Sequence, residues 1–512
     1  MKKEKNMKEE ILPDPFDTNW MDDIFENDVD IRTPTIKTEE LSSSKYNGEF
    51  TEKELEIVLE GLNEDQKTAV LGIIEYIFIN KENKKFYLVQ GGGGVGKSFA
   101  VARAMTLLFM YNVIAAAPSH FAKNVLDDNI IENGIDDIDV YTVAALMGKK
   151  LTFNDKGERI LVPAKGTPPI RRSDIVIIDE VSMIDDETSV ELLEMCKYKK
   201  LILLGDYCQL PPVKQQQDNL FFREIGAELL QPMRFTGDLY DLTQIIREEI
   251  NRARKGLFSD MNIINKKTSR ISRIGDNGSG YIFVDNFGHF IQAAIRRFKE
   301  NKGSFHVRIL AYRNRTIDKI NEIVRKALYG DNAAQFEEGE LVINEGGYDQ
   351  LINNGEILTV KKATKVIGPY SIPCLNLKFR DKKINKHVFV VSTEGKEMYD
   401  RILQTKKTAA KQNKYKWGAY FDFLDSFAYF KYSYSSSVHK AQGSTITNVF
   451  ILDDDILSIK PIGSKEKLQS LYVAITRASF RAIIYNKKFK VDQSQLTKEN
   501  LNKRYNGGFT NV

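Results

Sequence analysis

Eight residues, Gly91 to Ser98, leave this chain few folds to choose from. They read Gly-Gly-Gly-Gly-Val-Gly-Lys-Ser: one glycine, four residues, then Gly-Lys-Ser. The apolar run Phe86–Val89 precedes them, and Phe99–Met105, of helical composition, follows. Glycines let the backbone curl until successive N–H groups point inward at an anion. The positive end of the new helix adds to that field. A strand, loop and helix of this kind belong to a parallel α/β sheet. Lys97 would then reach the β- and γ-phosphates of ATP, and the Ser98 hydroxyl would ligate Mg²⁺. The pattern implies nucleotide hydrolysis, with Gly91, Gly94, Gly96, Lys97 and Ser98 lining the phosphates.

Apolar runs recur at Val113–Ala117, Ile175–Ile178 and Leu201–Leu204, with helical segments between several of them. That alternation predicts a parallel sheet covered on both faces. It returns at Val307–Ala311, Val449–Leu452 and Ala482–Tyr485, which predicts a second domain of the same type. A length of 512 residues also exceeds what one core serves. Two stretches interrupt the alternation. Lys150–Pro163 folds around Asn154-Asp155-Lys156-Gly157 and reads as a β-hairpin. Phe336–Ser392 holds short strands between Gly/Asn turns and reads as a small β-barrel.

Charge is nearly balanced, with Lys+Arg 74 against Asp+Glu 70, so any nucleic-acid surface must come from local segregation. The three cysteines are scattered, which supports neither a disulfide framework nor a zinc site and suits a reducing cytoplasm. No apolar run has the length of a membrane span, and the N-terminus lacks a signal-peptide core. Residues 1–50 form an acidic-aromatic tail: between Asp14 and Asp30 acids alternate with Phe16, Trp20 and Phe25, without Lys or Arg. Two readings fit it, a solvated disordered arm or a peptide that docks on a basic groove of a protein partner or of this chain.

Asp179-Glu180 end the apolar run Ile175–Ile178. At the carboxyl end of a central strand Asp179 can hold Mg²⁺ and Glu180 can orient the attacking water. The stretch Asp179-Glu180-Val181-Ser182-Met183 resembles the second motif of superfamily 1B helicases, the 5′-to-3′ branch typified by RecD and Dda. Other stretches follow that family's order. Leu62–Gln66 resembles the Q motif, Ala116–Lys123 the first DNA motif and Leu204–Val213 the third motif. Leu230–Arg234 resembles the fourth, Val438–Ser444 the fifth and Leu471–Ala478 the sixth.

The resemblance implies an α/β fold of two RecA-like P-loop domains, with a β-hairpin pin inserted in the first and a small SH3-like β-barrel in the second. The implied boundaries are 51–235 for the first domain with its hairpin at about 146–168, 236–330 with 427–495 for the second, 331–426 for the barrel, and 496–512 for a C-terminal tail. Gln66 would grip adenine, Gln209 would sense the γ-phosphate, and Arg234 and Arg477 would stabilise its charge. Gly443 would also line the nucleotide. ATP would therefore sit between the domains.

For DNA the resemblance implies Ser119, His120 and Thr142, with Phe153 beside the hairpin turn stacking on the first unpaired base. Thr142-Val143-Ala144 lacks the histidine usual two places after that threonine. His439 fits either a DNA contact or a loop support. The hairpin fits a strand-splitting pin or a plain connection, and Lys406–Lys416 fits a phosphate track or a solvated helix face. The implied activity is an ATP-dependent 5′-to-3′ helicase or translocase on single-stranded DNA and forks, in phage or bacterial replication or recombination. A DNA-stimulated ATPase switch that regulates a partner is the alternative from another class, and an RNA motor is the third.

Overall fold

The computed structural model describes residues 51–487 except 81–82, 109, 134, 136–137, 154–158, 213–218, 234–236, 258–262, 265–267, 269–271, 276, 302–305, 347–351, 353–354, 460 and 461–464. The acidic tail at 1–50 and the C-terminal tail at 496–512 lie outside the described residues.

The first sheet has six parallel strands in the order β3-β2-β6-β7-β1-β8. They are β1 Tyr87–Gly91, β2 Val113–Ala117, β3 Asp139–Thr142, β6 Ile175–Ile178, β7 Lys200–Gly205 and β8 Ala227–Leu229. The four inner strands are the apolar runs of the sequence, buried on both faces as parallel strands must be. The two edges, β3 and β8, are short and partly polar and gave no such run.

The second sheet has the order β17-β11-β18-β19-β10-β9. Its strands are β9 Arg273–Ile274, β10 Gly280–Val284, β11 Val307–Ala311, β17 Ser435–Ser437, β18 Ile446–Leu452 and β19 Ala478–Tyr485. All its pairings are parallel except β9 with β10. The two sheets share one apolar cluster: Ile114, Val176 and Leu203 of the first are continuous with Leu310, Val449 and Ala482 of the second. Helices Asp238–Arg254 and Lys465–Thr476 contribute Leu242, Ile246, Leu471 and Ile475 to it.

The hairpin pairs β4 Lys149–Phe153 with β5 Arg159–Pro163, and its turn lies outside the described residues. Lys149 anchors its base through an ion pair with Glu191. The β-rich insert is a five-stranded antiparallel sheet, β15-β14-β13-β12-β16. Its strands are β12 Leu341–Asn344, β13 Ile357–Ile367, β14 Pro373–Phe379, β15 Phe389–Val391 and β16 Phe430–Tyr432. The last strand lies past residue 426, where the sequence expectation ended the insert. Its apolar residues, such as Val342 and Ala428, build their own cluster. No ladder joins β15 to β16 among the described residues, although the Ala428 N–H donates to Phe389 O at 2.8 Å. The lysine-rich stretch is helical, Lys396–Gln412, and Lys406 lies over the Tyr370 ring at 5.1 Å.

Candidate active site

Strand order brings the motifs to one edge. β7 lies between β6 and β1, so the loops at their carboxyl ends stand side by side. Those loops carry Asp179-Glu180, Asp206–Gln209 and Gly91–Ser98. Open α/β sheets bind their ligands at such an edge. Gly94 and Gly96 hold φ of +79° and +82°, a backbone that other residues rarely adopt, and helix Lys97–Met105 starts directly afterwards. A Cβ on Gly96 would stand 2.3 Å from Gln66 Nε2.

Lys97 Nζ donates to the carbonyls of Gly91 at 2.8 Å and Gly92 at 3.0 Å, on the inside of the loop. Ser98 Oγ donates to Asp179 Oδ2 at 3.4 Å, and Asp179 Oδ1 accepts the Glu180 N–H at 2.7 Å. Glu180 has a left-handed backbone, φ +54°, and its Oε2 is buried without a hydrogen-bond partner among the described residues. Burial raises the pKa of both carboxyls, and the Asp179 charge adds to the rise at Glu180. The Lys97 ammonium opposes both shifts, and Arg477 opposes the second. A hydroxyl and two half-buried acids make an all-oxygen donor set suited to a hard divalent cation such as Mg²⁺. Ser98 and Asp179 are the residues placed to hold it.

Gln66 is buried under the loop, where its Nε2 donates to Val95 O at 3.2 Å and its Oε1 accepts the Asn63 N–H. From the second sheet, Arg477 brings Nη2 to 3.4 Å from where a Cβ on Gly93 would stand. Its other nitrogens donate to Val473 O and Ser444 O, each at 3.2 Å, which fixes the guanidinium against the loop. Gln209 is buried between the sheets. Arg234 lies outside the described residues. Its neighbour Met233 donates its N–H to Gly94 O at 2.8 Å, and Asp65 Oδ2 accepts the Leu230 and Gln231 N–H groups.

Gly443 turns the chain with φ +83° after the short helix Val438–Ala441, and a Cβ there would meet the Phe121 ring of helix His120–Glu132 at 3.7 Å. Ser119 and Thr142 both act as helix caps, accepting from Ala122 N at 3.1 Å and Ala145 N at 3.3 Å. His120 is exposed at the first turn after Ser119. His439 is mostly buried with its ring 5.9 Å from that of Tyr312, and burial lowers its pKa against the pull of Glu466. Phe153 ends β4 opposite Arg159, and its side chain lies outside the described residues.

Sequence reasoning passed over a second set of residues. Arg247 is buried and donates to Asp206 Oδ1 at 3.0 Å and Glu228 Oε1 at 2.9 Å. Tyr472 donates to Asp206 Oδ2 at 2.8 Å, and its hydroxyl stands 2.9 Å from a Cβ on Gly92. Gln442 and Gln469 both reach Gln209. One signal was available: Arg247 follows Ile246 on the stripe Leu239, Leu242, Ile246, Ile250 that buries one side of its helix.

The family model described as an AAA domain matches residues 61–264, and the UvrD-like helicase C-terminal domain matches 432–485. The ATP-dependent DNA helicase dda of Enterobacteria phage T4 is 23% identical over 466 residues, covering 83% of this chain and 99% of that protein. An uncharacterized protein, R530, of Acanthamoeba polyphaga mimivirus is 23% identical over 490 residues, covering 79% and 96%. Among solved structures, the Pif1 helicase from Candida albicans is similar with a TM-score of 0.43 at 16% identity, covering 87% of this chain and 98% of that one. The ordered motifs and the match along nearly all of the phage protein are consistent with a superfamily 1B helicase, an ATP hydrolase.

Proposed function

We propose that this chain is a Mg²⁺-dependent motor that uses ATP to move 5′ to 3′ along single-stranded DNA and to open forks, in phage or bacterial replication or recombination. The observation that carries the reading is Arg477, an arginine beside the second sheet that faces the phosphate loop of the first at Gly93. A γ-phosphate held by Lys97 would touch both sheets, and its loss on hydrolysis would release one of them. A ligand with different contacts in two states is the minimum for a motor. Lys97, Arg234 and Arg477 would stabilise charge on the transferred phosphoryl group, and Gln209 would sense it. Glu180 would take the proton of the attacking water, a role that suits a carboxyl whose pKa burial has raised. Mg²⁺ bound at Ser98 and Asp179 would neutralise phosphate charge.

The hairpin β4–β5 serves in this reading as the pin that splits the duplex, and the five-stranded insert as an SH3-like wall of the strand channel. Ser119, His120 and Thr142 line that channel. The name of the phage T4 relative, a DNA helicase, favours DNA over RNA. Unwinding of matched duplexes with a 5′ or a 3′ tail tests the reading. Opening of the 5′-tailed duplex alone, dependent on ATP and Mg²⁺, is expected. Strand-stimulated ATP hydrolysis with no strand separation would assign the chain as a DNA-bound switch instead.

A further inference from the structure

A second cavity, of about 350 Å³, lies away from the nucleotide loop and between three parts of the chain. Helix His120–Glu132 gives it His120, Phe121 and Asp128, the insert gives Ile343 and Glu356, and the second sheet gives Arg308, Ser436 and Lys440. Arg308 is the anomaly. It interrupts the apolar strand Val307, Ile309, Leu310, Ala311, and it shares the Leu310 face, which is turned toward the cluster common to both sheets. The residue is 3% exposed, yet its one hydrogen-bond partner among the described residues is the Ser433 hydroxyl, and its Nε has none. No carboxylate pairs with it among the described residues. Glu356 is taken by Lys382 at 2.8 Å, and Lys440 by Glu345. Burial without a counter-charge lowers the guanidinium pKa to about 10, still far above neutral pH, so the group remains a cation.

A buried cation without an anion is strongly unfavourable, and such groups persist where a ligand completes them. The ligand must be an anion with several acceptor oxygens, reaching a forked donor in a cavity. The walls suggest its source, since His120 belongs to the face assigned above to the strand. We infer that Arg308 receives one backbone phosphate of the bound single strand in this cavity, so that the strand ties the first sheet, the second sheet and the insert together. This rests on the strand-binding reading of the proposed function.

The test uses the full chain, a labelled oligothymidylate, and the variants Arg308→Met and Arg308→Lys. Strand affinity is measured across a salt series, and Tm without DNA. For Arg308→Met, removal of one phosphate contact should flatten the slope of log K against log salt by about 0.7. Its affinity at low salt should fall roughly tenfold, and its Tm without DNA should rise, because an unpaired charge has left the interior. Arg308→Lys should keep most of the salt slope. A lower Tm for Arg308→Met with unchanged affinity and slope would overturn the inference in favour of a structural arginine. Inorganic phosphate that raises the Tm of the parent but not of Arg308→Met, with equal strand slopes, would overturn it in favour of a free-anion site. A parent chain that binds no strand sinks the proposed function itself, whereas a parent that binds with indifferent variants sinks only this inference.

Discussion

The Gln442 side-chain amide donates to the side-chain carbonyl of Gln209 at 2.6 Å, shielded from water. Gln209 follows β7 in the first sheet and Gln442 follows β17 in the second. The main-chain carbonyl of Gln209 accepts from Gln469 as well, at 2.8 Å. One loop beside the phosphate site is therefore held by two glutamines of the other sheet. Gln442→Ala would leave a buried carbonyl without a donor, a loss of about 1–3 kcal/mol. If the pair couples the sheets, kcat for strand-stimulated hydrolysis falls about 10- to 100-fold while KM for ATP changes little. An unchanged kcat in steady-state assays would make the contact a packing detail.

Lys97→Ala and Glu180→Gln separate chemistry from strand binding. Each should lower ATP turnover by roughly 10²- to 10⁴-fold, since each removes charge stabilisation or proton acceptance at the reacting phosphate. Strand affinity, measured by anisotropy without nucleotide, should stay within about threefold of the parent, because neither group lies on the strand face. Hydrolysis at the parental rate by either variant would move the site elsewhere.

Arg247 holds two acids of the first sheet, Asp206 and Glu228, from a helix that leads into the second. Its Nη1 also stands 3.4 Å from the Tyr472 hydroxyl. Arg247→Met would leave Asp206 buried and short of a counter-charge, which costs about 3–5 kcal/mol. Urea unfolding should show that loss as a lower midpoint. A double-mutant cycle with Asp206→Asn should recover part of it. Additive losses would mean the two side chains act independently.

Asp453 gives the fold a pH dependence. The residue is buried, accepts from Asn486 Nδ2 at 2.6 Å, and has an Oδ1 without a partner among the described residues. Burial raises its pKa from 3.8 to about 7. The folded chain thus binds this proton more tightly than the unfolded chain. The stabilisation is complete below the unfolded pKa and is lost as pH rises through about 7. The full effect is on the order of 4 kcal/mol. Tm should therefore fall between about pH 4 and about pH 7, and Asp453→Asn should flatten that slope. An equal slope in the variant would place the titration in another group.

Legibility followed burial. In the two parallel sheets the strands read from the sequence were inner ones, such as Ile175–Ile178, because parallel strands covered on both faces must be apolar throughout, although the equally buried β10 was passed over. β17 is Ser435-Ser436-Ser437 and gave no signal. It is a strand because it pairs in parallel with β11, and Asn321 of helix Asn314–Tyr329 also accepts its Ser435 N–H at 2.7 Å. The loop Gly91–Ser98 and the acids Asp179-Glu180 were legible because phosphate and metal chemistry restricts residue type and spacing.

By itself, the order of residues determined the local chemistry: which loop curls round phosphate, which strand ends in acids, and which arginine follows Thr476. Tertiary structure alone decided the meetings. It set Arg477 against Gly93, tied Gln442 to Gln209, and buried Arg308 beside a cavity with no carboxylate paired to it among the described residues. The physical reason is range. Backbone propensity and side-chain spacing act over a few residues, whereas these contacts join positions hundreds of residues apart, through packing that fixes how two sheets face each other.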